Sequence, residues 1–167
     1  MQTVAVTDAN IFIDLIKTDT IHLLFKLELR IHTTQEVVDE LEPYQQDVVY
    51  ALSKEGDVSI YGLSYEELSN MPNQKFPDGL HLDDQTVFVL AKKIDGILLS
   101  GDKKLRKYCE RNDILVKGIL WIYDEAYERN LMDTIVLVER IKLLMSINKR
   151  LPINDCQERI ARWQGNL

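Results

Sequence analysis

Four acidic residues fall where carboxylates can do chemistry: Asp8, Glu40, Asp84 and Asp102. Asp8 follows the apolar run Val4-Ala5-Val6, and Asp102 follows Ile97-Leu98-Leu99-Ser100-Gly101. Both runs read as strands, so both aspartates lie just past a carboxyl end. Glu40 sits in Gln35-Glu36-Val37-Val38-Asp39-Glu40-Leu41, and Asp84 opens Asp84-Gln85-Thr86-Val87-Phe88-Val89-Leu90-Ala91; both segments are predicted helices. In an open parallel sheet the carboxyl edge is where sites form. Like charges gathered there repel unless something positive lies between them. The economical filler is a hard divalent cation, which takes oxygen ligands. A carboxylate-held metal points to phosphodiester chemistry.

Each acid also has a plainer reading. Asp8 and Asp102 would serve as N-caps of the helices that follow them. Asp83 and Asp84 both suit a helix start, where acids favour the macrodipole. At ~100° per residue, Glu40 lies about 60° from the centre of an apolar stripe of Val37, Leu41, Tyr44 and Val48. A charge there needs a partner or sits at the core edge. Glu36 reads as the acid of a capping box with Thr33 at the N-cap. Taken singly the acids are weak indicators; in order along one α/β domain they are stronger.

The elements that must position them alternate. Strands are predicted over residues 3–7, 29–33, 57–61, 97–100 and 114–117. Helices are predicted over 10–17, 21–28, 34–53, 64–70, 83–94, 103–112, 120–129, 134–147 and 155–163. Pro43 is a potential break in the third of these. Residues 71–80, with Pro72, Pro77 and Gly79, read as a loop, and Gly96 as a helix stop. This alternation predicts an α/β fold with three layers, α/β/α, around a short parallel sheet of about five strands. Residues 1–131 are expected to form that domain, and the strandless residues 132–167 a helical extension packed on it.

Bulk properties set limits. A chain of 167 residues, 46% hydrophobic and 28% charged, has room for one domain with a real core. No apolar run approaches the roughly 18 residues needed to span a membrane. Met1-Gln2-Thr3 leads straight into a strand without a basic leader, so a cytoplasmic protein is expected. Cys109 and Cys156 read as buried, reduced thiols. The net charge of -7 argues mildly against a nucleic-acid partner. Its distribution softens that: residues 36–84 carry a net -10, residues 92–117 a net +4. Phosphate contacts need only a local basic face, although lysines of this kind also form ordinary solvated helix faces.

The motifs together resemble the PIN domain family, a nuclease fold that includes the toxins of VapBC-type toxin–antitoxin pairs. Val6-Thr7-Asp8-Ala9-Asn10 is similar to the family's opening strand and first acid, and Val37-Val38-Asp39-Glu40-Leu41 to its helix-borne glutamate motif. Leu80-His81-Leu82-Asp83-Asp84 is similar to the third motif, whose spacing to Ala91 selects Asp84 over Asp83. Leu98-Leu99-Ser100-Gly101-Asp102 is similar to the fourth, and Val116-Lys117-Gly118-Ile119-Leu120 to the family's tail. His81 stands where the family often has Ser or Gly, and the segment after Leu131 is longer than in compact toxin-type members.

The resemblance implies that Asp8, Glu40, Asp84 and Asp102 are catalytic and bind Mg²⁺ or Mn²⁺, with Asn10 and Ser100 orienting them. Lys103, Lys104, Arg106 and Lys107 would hold an RNA substrate, Arg106 foremost because its fork matches phosphate. Toxin-type relatives imply an antitoxin protein and a homodimer. A degenerate binding or scaffold module on the same fold is the alternative. A haloacid-dehalogenase-type enzyme is disfavoured because position 10 is Asn, and a phospho-receiver because Asp8 has no acidic neighbour before Asp14.

Overall fold

The computed structural model describes residues 2–165. Five strands, β1 (Thr3–Thr7), β2 (Leu29–Thr34), β3 (Val58–Tyr61), β4 (Ile97–Leu99) and β5 (Val116–Lys117), form one sheet in the order β3-β2-β1-β4-β5. Every pairing is parallel. Ala5 and Val6 are adjacent on β1 and both fully buried, as are Leu98 and Leu99 on β4. Successive strand residues point to opposite faces, so both faces of the sheet are covered, as in a three-layer α/β/α fold.

The covering helices are α1 (Ala9–Lys17), α2 (Leu23–Lys26), α3 (Gln35–Asp39), α4 (Pro43–Glu55), α5 (Tyr65–Asn70), α6 (Leu82–Ile94), α7 (Lys103–Glu110), α8 (Ile119–Glu128), α9 (Thr134–Ile147) and α10 (Ile153–Trp163). Helix α6 carries the chain back across the sheet and packs on β1, β2 and β4, with Val87, Phe88 and Ala91 buried in the core.

The helix expected over 34–53 is two helices. Pro43 cannot continue a helix but suits a first helical position, and there it opens α4. The break rotates α4, so its buried face carries Gln45 and Val49 while Tyr44 is exposed. The continuous stripe through Tyr44 and Val48 does not form. Thr34, not Thr33, is the N-cap of α3: its hydroxyl accepts from Val37 N–H at 3.3 Å. The Thr33 hydroxyl instead donates to the Thr7 carbonyl at 2.9 Å, tying β2 to β1. Glu36 is therefore not a capping-box acid, and its Oε2 is buried without a hydrogen-bond partner. Asp95 rather than Gly96 takes the left-handed turn that ends α6, with φ +52°. Gly96 is needed for space, since a β-carbon there would lie 3.3 Å from Val4.

The last two helices pack on each other and on α1 and α8. Asn148 Nδ2 donates to Asp14 Oδ2 at 2.7 Å, Arg159 grips Asp124, and Trp163 stacks on Tyr127 with centroids 5.5 Å apart. Cys109 and Cys156 are buried free thiols. Among the described residues no helix is long and apolar enough to cross a membrane.

Candidate active site

Strand order puts a crevice between β1 and β4. The chain leaves β1 toward β2 and β3, then returns to add β4 and β5 on the other side. Loops at the carboxyl ends of β1 and β4 diverge there, and such switch points hold ligands. Thr7 pairs with Leu99 at the last position of this ladder, so Asp8 and Ser100 emerge side by side.

Asp8 is buried at 2% exposure and caps α1, with Oδ1 accepting from Ile11 N–H at 3.0 Å. Its backbone N–H donates to the Leu99 carbonyl at 3.1 Å, which continues the β1–β4 ladder into the site. Its Oδ2 accepts a short hydrogen bond from the Ser100 hydroxyl. The same Ser100 oxygen accepts from Asp102 N–H at 3.1 Å, so one buried hydroxyl joins the two strand-end acids. Asp102 caps α7 through Leu105 N–H at 2.7 Å. Asp84 is the third residue of α6, and its Oδ2 accepts from His81 N–H at 3.3 Å. Capping and site-building are thus one arrangement: each cap fixes one carboxylate oxygen of an acid at the sheet's carboxyl edge.

The charges interact. Burial pushes the Asp8 carboxyl up to about 7; hydrogen bonds from Ser100 and Ile11 oppose the shift, while the Asp84 and Asp102 charges add to it. Asp84 is pushed up to about 6, first by burial, then by Asp83, and further by Asp102. The Asp84 and Asp102 charges thus reach Asp8, and Asp102 reaches Asp84, where the His81 side chain opposes the rise.

Other expected site residues are placed differently. Glu40 is exposed at the carboxyl end of α3 and makes no side-chain hydrogen bond or ion pair among the described residues. Asn10 is exposed on the first turn of α1. Lys103, Lys104 and Lys107 are exposed on α7. Arg106 turns inward: Nη1 donates to the Val116 carbonyl at 3.0 Å and Nη2 to the Ser100 carbonyl at 3.5 Å. Its fork braces the ends of β4 and β5. Glu36, read in the sequence as a capping-box acid, is freed of that role by the one-residue shift of the cap and has a buried oxygen without a partner.

The donor set suits Mg²⁺ or Mn²⁺, being hard carboxylate oxygens. Asp84 Oδ1 and Asp102 Oδ2 have no protein hydrogen bond among the described residues, which leaves one oxygen of each for an ion. As placed, no three His, Cys, Asp or Glu side chains among the described residues stand close enough to hold one. Repelling carboxylates do not close up without a cation between them.

No curated protein matches the chain. A PIN domain family model matches residues 4–164, which takes in the five-stranded sheet, all three buried or half-buried aspartates and the last two helices. With this sheet order and nearly its whole length covered, the chain belongs to the PIN domain family, a nuclease-type fold.

Proposed function

We propose that this chain is a Mg²⁺- or Mn²⁺-dependent endoribonuclease that hydrolyses phosphodiester bonds of single-stranded RNA. The observation that carries the reading is the trio Asp8, Asp84 and Asp102, whose charges act on one another at the carboxyl edge of the sheet. These three would hold the ion, and Glu40 would be the fourth acid. When bound, a divalent ion polarises the phosphoryl oxygen and lowers the pKa of a bound water. Ser100 sets the separation of Asp8 and Asp102 by bonding both. The caps at Ile11, His81 and Leu105 hold the acids rigid, which limits reorganisation during the reaction. Lys103, Lys104 and Lys107 lie beside Asp102 and would hold the sugar-phosphate backbone.

The reading extends to a toxin role, in which a small antitoxin protein holds the site off. Growth arrest on expression, relieved by Asp102→Asn, is the expected phenotype. The test of the activity is cleavage of matched single-stranded RNA and DNA with Mn²⁺, with EDTA, and with Asp102→Asn. RNA cleavage that needs the metal and the aspartate supports the proposal; cleavage of neither strand removes it. One observation favours a binding or scaffold module instead: among the described residues no three such side chains are grouped to hold an ion as placed. That reading predicts nucleic-acid binding unaffected by metal, and no turnover.

A further inference from the structure

Lys104 does not run freely into solvent. It is the second residue of α7, and its side chain reaches to Gly79 in the loop before α6. A β-carbon on Gly79 would land on the Lys104 ammonium and lie 3.6 and 3.7 Å from its Cε and Cδ. Gly79 is also left-handed, with φ +86°.

The loop is pinned where this happens. Phe76 packs edge-on against Phe88 of α6 with centroids 5.7 Å apart, and against Tyr108 of α7 at 5.4 Å. Lys104 therefore spans from the helix that begins at Asp102 to the loop that ends at His81, whose N–H holds Asp84. Its ammonium forms no ion pair among the described residues.

Building on the nuclease reading above, we propose that Gly79 is a positioning residue. By lacking a side chain it seats the Lys104 ammonium between the starts of α6 and α7, where it takes a backbone phosphate of single-stranded nucleic acid. An ammonium is a compact charge with three donors, suited to one phosphate oxygen. A side chain at Gly79 moves that charge without necessarily unfolding the loop, because what it meets is the far end of a flexible chain.

The test is a double-mutant cycle on affinity for a short fluorescent single-stranded RNA, measured in EDTA over a salt series. Gly79→Ala and Lys104→Met should each weaken binding several-fold and flatten the log–log salt dependence by about 0.7, the value of one single-strand phosphate contact. The double variant should bind as Lys104→Met does. In metal-supported cleavage, Gly79→Ala should raise KM with kcat retained. Gly79→Asn, which tolerates positive φ better than Ala, repeats the test with less backbone strain. Additive losses, or an unchanged salt slope in both Gly79 variants, would overturn the proposal while leaving the nuclease reading intact. Wild-type protein that binds no RNA in EDTA and cleaves none with Mn²⁺ would overturn both.

Discussion

Replacing Asp8 by Asn should stabilise the metal-free protein, by an amount that grows as pH rises from about 4 and levels off above about 7. Asp8 is 2% exposed, and its carboxyl is pushed from 3.8 to about 7, chiefly by burial. The folded state therefore binds this proton more tightly than the unfolded chain. The stability it contributes is fully present below the unfolded value and is lost as pH rises through about 7. A shift of some three units corresponds to about 4 kcal/mol. In Asp8→Asn the side-chain oxygen still accepts from Ile11 N–H, and the amide nitrogen can donate to Ser100, but no charge forms. In EDTA at pH 8 the variant should be more stable than wild type by up to that amount; near pH 4 the two should coincide. For a chain of this size each kcal/mol moves the midpoint by about 2–4 °C. Thermal and urea melts across this pH range read the difference. Parallel pH profiles, or a less stable variant at pH 8, would refute the burial argument. Asp84, raised to about 6, tilts the wild-type profile the same way.

Other residues give separate checks. Arg106→Ala removes the ties to Val116 and Ser100 and should cost roughly 1–3 kcal/mol in a urea melt; full stability with lost RNA affinity would assign Arg106 to the substrate contacts. Glu40→Gln should lower metal-supported cleavage at least tenfold with its midpoint unchanged, because the side chain is exposed and unpaired. Unchanged cleavage there, with loss in Glu36→Gln, would transfer the fourth-acid role to Glu36. Arg159→Ala breaks the paired contact with Asp124, at 3.0 and 2.7 Å, and should speed hydrogen exchange in α10 ahead of the sheet; uniform exchange would contradict it.

The fold was largely legible because its signals are local. Apolar runs gave the strands, and their alternation with helices required parallel pairing. Asp8 and Asp102 are caps that short-range spacing reveals. The misreadings came from competition between nearby signals. Thr33 and Thr34 are equally good caps by composition, and only strand pairing decides, by drawing the Thr33 hydroxyl to the Thr7 carbonyl. Pro43 fits a helix interior badly and a helix start well, so one long helix or two turns on packing. Within the site, Asp8, Ser100 and Asp102 were legible as strand-end residues, and the structure adds the hydroxyl bridge between them. Composition could not show that the Arg106 guanidinium turns to the Val116 and Ser100 carbonyls. Gly79 was read as a turn residue; its contact with Lys104 is tertiary and leaves no local trace.

The most direct test of the metal site is the thermal midpoint with and without about 10 mM Mn²⁺, since an ion bound only by the folded state must raise it by mass action. Wild type should show a clear rise, and Asp102→Asn, which keeps its helix cap, should show little or none. No rise in wild type, or an equal rise in both, would contradict a metal centre built on Asp8, Asp84 and Asp102.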